Sequence, residues 1–76
     1  MIKEHERVVL TQNLAESDLQ AGDVGTVVHI HRDGAAYEVE FVTLTGQTLC
    51  VATVLAAQLR LIGHRDLPHV RELVKA

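Results

Sequence analysis

The chain is nearly without aromatic residues: among its 76 positions there is one Tyr, one Phe and no Trp. That scarcity weighs against two functions of small β domains. A groove for proline-rich peptides is built from exposed aromatics. Single-stranded nucleic acid is held on stacking platforms beside a basic groove. Tyr37 and Phe41 both fall on the expected inward face of a single strand, so neither resource is available at the surface.

Cysteine is as scarce. Cys50 stands alone, so no disulfide staples the fold. A lone thiol fits a reducing compartment. It has no CxxC partner, and neither neighbour, Leu49 nor Val51, is cationic, so a buried core thiol is expected. Apolar runs are short, far below the ~20 residues that span a bilayer. The opening Met1-Ile2-Lys3-Glu4-His5-Glu6-Arg7 is charged, so no signal peptide is expected. A soluble, cytoplasmic, single-domain protein is expected, with no membrane partner. At this length only about 60% of the unfolded surface is buried on folding, so stability is marginal.

Charge is present but uneven. The net value is −3. Residues 1–59 carry −5, whereas residues 60–76 carry +2 through Arg60, Arg65, Arg71 and Lys75. An acidic body with a basic tail argues against nucleic acid and for an oriented surface.

The most informative stretch is Gly22-Asp23-Val24-Gly25-Thr26-Val27-Val28-His29-Ile30. Gly22-Asp23 is turn chemistry, and the β-branched residues after it suit a strand. Gly25 lies inside that strand, where glycine marks a bulge or a close backbone approach. Around it the chain reads as five strands: residues 6–11, 24–31, 36–43, 48–54 and 59–62. Leu14 or Leu19 is expected to pin the polar connection 12–21 onto the core. Asp33-Gly34 is a hairpin signal. Strand 36–43 alternates cleanly, with Tyr37, Val39 and Phe41 inward and Glu38 and Glu40 outward. Strand 48–54 is apolar on both faces, which predicts a central or covered position. A single helical turn is expected at 55–58.

This pattern predicts an all-β, five-stranded SH3-like barrel over residues 1–63, with a one-turn helix before the last strand. Val27, Ile30, Val39, Phe41 and Val51 are its expected core. A C-terminal tail, 64–76, follows. Asp66 and Pro68 allow a short helix there, with an extended tail as the alternative. Leu67, Val70, Leu73 and Val74 are too apolar for a disordered end, so the tail is expected to dock and to form part of an interface. Its cations, Arg65, Arg71 and Lys75, are expected to face Glu38 and Glu40.

Two resemblances apply. Gly22-Asp23-Val24-Gly25-Thr26-Val27-Val28 resembles the glycine-centred turn and strand of KOW-type SH3-like barrels, found in ribosomal proteins and in the transcription factor NusG. A wider resemblance rests on Glu6-Arg7-Val8-Val9-Leu10-Thr11, on the Gly22–Gly25 segment, on Tyr37-Glu38-Val39-Glu40-Phe41-Val42, and on His69-Val70-Arg71-Glu72-Leu73. On these residues the chain is similar to a family of small bacterial proteins known only as a domain of unknown function. That resemblance implies a stand-alone partner encoded beside another small protein, in a toxin–antitoxin-like or immunity-like pair. It implies no catalytic residues.

Candidate chemistry is thin. His29 and His31 share a strand face, but zinc sites take three or four protein ligands, and Cys50 or His64 join only if the fold brings them near. Glu38 and Glu40 are spaced for paired-carboxylate work, yet a barrel this small is filled by its own side chains. Ser17 lacks a GxSxG context, and the glycines at 22 and 25 lead into a strand rather than a phosphate-binding helix. The expectation is a non-enzymatic protein-interaction module without cofactor or metal. Its partner-binding residues are Glu38, Glu40, Arg65, His69, Arg71 and Leu73. The expected partner is a protein, such as the product of the adjacent gene, or a second copy of the chain. The alternative is a KOW-like nucleic-acid-binding domain with the tail on phosphates.

Overall fold

A computed structural model describes residues 2–73. It contains β1 (Arg7–Leu10), β2 (Val24–His31), β3 (Ala36–Val42), β4 (Thr48–Leu55) and β5 (Leu59–Leu61). Two 3-10 turns, Ala15–Ser17 and Ala56–Gln58, complete the regular structure. All neighbours in the single sheet are antiparallel, in the order β4-β3-β2-β1-β5.

The central meander follows from local sequence. Arg32 and Asp33 adopt positive φ (47° and 58°) ahead of Gly34, which turns β2 back onto β3. β3 keeps its alternation: Tyr37, Val39 and Phe41 are buried, and Glu38 and Glu40 face outward. Two bulges adjust its neighbours. Val28 is the extra residue between the Val27↔Val39 and His29↔Glu38 pairs. It reverses the parity of β2, so Gly25 and Val27 face the core while His29 and His31 join Glu38 outside. Leu49 is the extra residue between Phe41↔Cys50 and Val42↔Thr48.

The sheet is open, which corrects the expected barrel. β4 and β5 are at opposite ends of the strand order, yet only Ala56–Gln58 separates them. Four strand spacings are about 19 Å in a flat sheet, whereas a 3-10 path from Leu55 to Leu59 rises only ~8 Å. The sheet therefore curls until the end of β4 meets the start of β5. Thr11 fastens this corner, its N–H donating to the Gln58 carbonyl at 2.9 Å. Closure goes no further. β5 has only three residues, and its ladder is with β1 alone.

Gly25 allows the curl. A Cβ there would lie 2.5 Å from Val39 Cγ1, 2.9 Å from the Glu40 carbonyl and 3.0 Å from the Phe41 ring. The expected close approach is thus at Gly25, and the bulge is three residues on. The core comprises Val8, Leu10, Leu19, Val27, Tyr37, Val39, Phe41, Ala52, Val54 and Leu59. Leu19 pins the 12–21 connection as expected, bridging to Leu14. Ile30 and Cys50 are only half-buried against this core. Val51 was expected inside but is 53% exposed. The reason is alternation on an uncovered strand. Val51 pairs with outward Glu40 and shares its face, while Cys50, Ala52 and Val54 turn inward. β4 is an edge strand, neither central nor covered.

The tail is not helical over its described length, 64–73. Asp66 does not cap a helix; it accepts the Gly63 N–H at 2.7 Å and a two-point contact from Arg60. Val74 and Lys75 lie outside the described residues.

Two substitutions test this core. Phe41→Ala should cost about 3–5 kcal/mol in a denaturant melt, because Phe41 is 2% exposed at the centre of the cluster. Gly25→Val should destabilise by ~1–3 kcal/mol although valine is the better strand former. A melting temperature at or above that of the parent would remove the close-approach role.

Candidate functional site

Two groups of polar side chains stand out, and they are on different parts of the molecule. The first centres on Asp23. Its backbone belongs to the turn before β2: Asp23 N–H donates to Gln20 and the Asp23 carbonyl accepts from Leu10. Its carboxylate accepts the Gln20 N–H at 2.8 Å. It also accepts Arg71 Nε at 2.8 Å and Arg71 Nη2 at 2.5 Å, a two-point clamp. His69 Nε2 donates to the same carboxylate at 3.1 Å. Gly22, at φ 97°, makes room for that imidazole; a Cβ there would meet the His69 ring at 3.1 Å. The tail therefore docks on the β1–β2 turn.

Burial alone would raise the Asp23 pKa. The hydrogen bonds from Arg71, the Gln20 backbone and His69 outweigh burial and hold it below the usual carboxylate range. The matching contact raises the Arg71 pKa.

The second group is the outward face of the β2–β3–β4 meander. Glu38 accepts from Thr53 Oγ1 at 2.6 Å and from His31 Nε2 at 2.7 Å, and these bonds lower its pKa. Glu40 accepts from Thr48 Oγ1 at 3.0 Å. The His29 and His31 rings meet edge-on, with centroids 4.7 Å apart. Apolar side chains share this part of the molecule: Val42, Leu49, Val51 and Leu55 are 44–56% exposed.

The sequence-predicted residues thus divide. Glu38 and Glu40 lie on the β3 outer face. His69 and Arg71 converge on Asp23, and Arg65 and Leu73 are exposed along the same tail. Arg71 clamps Asp23 rather than facing Glu38 or Glu40, because the tail runs along the β1–β2 turn, where His69 also reaches Asp23. Lys75 lies outside the described residues. Cys50 and His64 do not join His29 and His31: among the described residues no three His, Cys, Asp or Glu side chains form a candidate metal site. No helix there is long and apolar enough to cross a membrane.

Asp23 as the tail's anchor was not foreseen from the sequence. The available signal was an Asp beside a turn glycine together with two tail residues that can donate to it, about 46 and 48 positions away.

A family model described as a domain of unknown function, DUF4926, matches residues 4–61. The chain belongs to the DUF4926 family. No curated protein and no solved structure matches it. The matched span covers all five strands and ends at the last residue of β5, so Arg65, His69, Arg71 and Leu73 lie beyond it.

The Asp23 clamp gives the tail a pH dependence. A depressed native pKa contributes stability that is complete above the unfolded value and is lost as pH falls through the folded one. Acidification below about pH 4 should therefore release the tail before the sheet unfolds. NMR shifts of His69 and Arg71 should move to coil values while those of Val27 and Val39 stay. Asp23→Asn should show the released spectrum at neutral pH.

Proposed function

We propose that this chain is a non-enzymatic protein-interaction module, acting in the cytoplasm as the antitoxin-like, immunity-like or regulatory partner of another small bacterial protein. The observation that carries this reading is the apolar surface on β3 and β4. Val42, Leu49, Val51 and Leu55 are all about half exposed, on two adjacent strands, bordered by Glu38 and Glu40. An apolar centre with a polar, charged border is the composition of a protein-binding patch.

The bonds that hold Glu38 and Glu40 in place support the same reading. Thr53, His31 and Thr48 fix both carboxylates, so they present ordered acceptors to a partner without further loss of side-chain freedom. The tail brings Arg65, Leu67, Val70 and Leu73 to a separate exposed surface for a second contact.

Co-expression with the product of the adjacent gene tests the reading. A stoichiometric complex should elute in size-exclusion chromatography with light scattering. Val51→Glu combined with Leu55→Glu should weaken it by about tenfold or more in calorimetry, with the melt of the free protein unchanged. Mixed RNA or DNA should bind feebly at physiological salt, because the body is acidic. Sub-micromolar nucleic-acid binding with a steep salt slope, and no protein complex, would reverse the assignment.

A further inference from the structure

The free edge of β4 has a defined hydrogen-bonding phase. Ala56 N–H donates to the Ala35 carbonyl, just beyond the Leu55↔Ala36 pair. In an antiparallel ladder that bond flanks a non-hydrogen-bonded pair. The groups bonded to β3 are therefore those of Val54, Ala52 and Cys50. Leu55, Thr53 and Val51 direct their N–H and C=O away from the sheet. Leu55 bears this out: its N–H is taken by Gln58 Oε1 at 2.9 Å. Among the described residues, Val51 and Thr53 find no partner for two donors and two acceptors in a row.

These groups open into a groove. Its far bank is the first 3-10 turn with its approach, Asn13 to Ser17; its near bank is β4 from Val51 to Leu55. It is the gap that closure of the sheet would have filled. Natural sheets blunt a free edge with charge, proline or a very short strand. β4 is eight residues long, Thr48-Leu49-Cys50-Val51-Ala52-Thr53-Val54-Leu55, with no charge and no proline.

We propose that the β4 edge takes an extended, basic segment of a partner protein as a sixth strand, hydrogen-bonded to Val51 and Thr53. This rests on the interaction-module reading above and names how that partner is held. Strand addition supplies affinity through the main chain and specificity through alternate side chains. Charge identifies the occupant. Among the described residues, Glu16 is the only ionised one lining the groove. The residues paired across β4 from Val51 and Thr53 are Glu40 and Glu38. Among the described residues, no Lys or Arg lines either bank. A guest strand with Lys or Arg on the outer face places its cations toward those carboxylates, and its intervening apolar residues toward Leu14 and Ala52. A second copy of β4 is the poorer guest: it has no cation, and it brings Glu16, Glu38 and Glu40 against their own kind.

The test uses the full-length, isotope-labelled chain and two synthetic hexapeptides, one alternating Lys and Val, the other alternating Glu and Val. Amide exchange is read residue by residue. The Lys-Val peptide should slow Val51 and Thr53 by roughly tenfold or more and leave Ala52 and Val54, already in the ladder, nearly unchanged. The Glu-Val peptide should give no protection. Val51→Pro removes an edge N–H that the fold does not use and should abolish protection. Glu16→Lys, on an exposed side chain, should weaken the Lys-Val effect by about tenfold even if the proline variant does not fold. Three results overturn the proposal: no protection by the Lys-Val peptide, equal protection by both peptides, or protection without peptide that grows with protein concentration. If the complex with the adjacent-gene product forms while Val51 and Thr53 remain unprotected, only the strand-addition mode is lost; absence of that complex bears on the interaction-module reading itself.

Discussion

The three residues between β4 and β5 constrain everything around them. They must join the two outermost strands of the sheet, so the sheet bends until those strands meet at one corner. Such bending brings β2 and β3 close together at Gly25, where a side chain would strike Val39, Phe41 and the Glu40 carbonyl. The same curl wraps the strands around one apolar cluster, letting a chain this short enclose Val8, Val27, Val39 and Val54 completely. It also leaves the seam. β5 is too short to run alongside β4, and the turn at Ala15–Ser17 lies across the opening without bonding to it.

Asp23 serves a second, independent constraint. One side chain satisfies a backbone donor of its own turn and two side chains of the tail. Arg71 is the stronger of the tail contacts, because its planar fork meets both carboxylate oxygens. Arg60 repeats the geometry on Asp66, but in the open, where such a pair contributes little to stability. The route of the tail is thus set mainly at its far end, by Asp23, and its apolar residues Leu67 and Val70 remain outside at 87% and 75% exposure.

Much of this fold was legible in the sequence. The strands at 24–31 and 36–43, the Asp33-Gly34 hairpin, the inward aromatics and the close approach at Gly25 follow from local patterns of period two and from turn chemistry. Openness was not legible. Five short strands and a one-turn helix have the same periodicity whether the last ladder closes or stops, and the difference is a matter of how few residues β5 contributes. Val51 was misplaced for a related reason. β4 is apolar on both faces, a pattern that reads as burial on both sides, whereas here one face is surface. Docking of the tail was expected from its apolar content, but the contacts that secure it are polar. The pairing of Arg71 with Asp23 spans 48 positions and leaves no local signature. The outward carboxylates Glu38 and Glu40 were placed correctly on β3, because strand alternation alone fixes them.

The ladder between β1 and β5 carries a kinetic consequence. β2, β3 and β4 are joined by tight turns and can pair as soon as each hairpin emerges, within microseconds. The Val8↔Leu61 pairing instead closes a loop of about fifty residues, at an entropic cost roughly 2 kcal/mol above that of a hairpin. The meander is therefore the early unit, and the β1–β5 seam is the last to form and the first to open. Until β1 pairs with β2, the meander has two open edges; the β1–β5 ladder then covers the outer edge of β1. In that early unit the uncharged β4 edge and the bare β2 edge are open together, so the chain passes through its most adhesive state before it is complete.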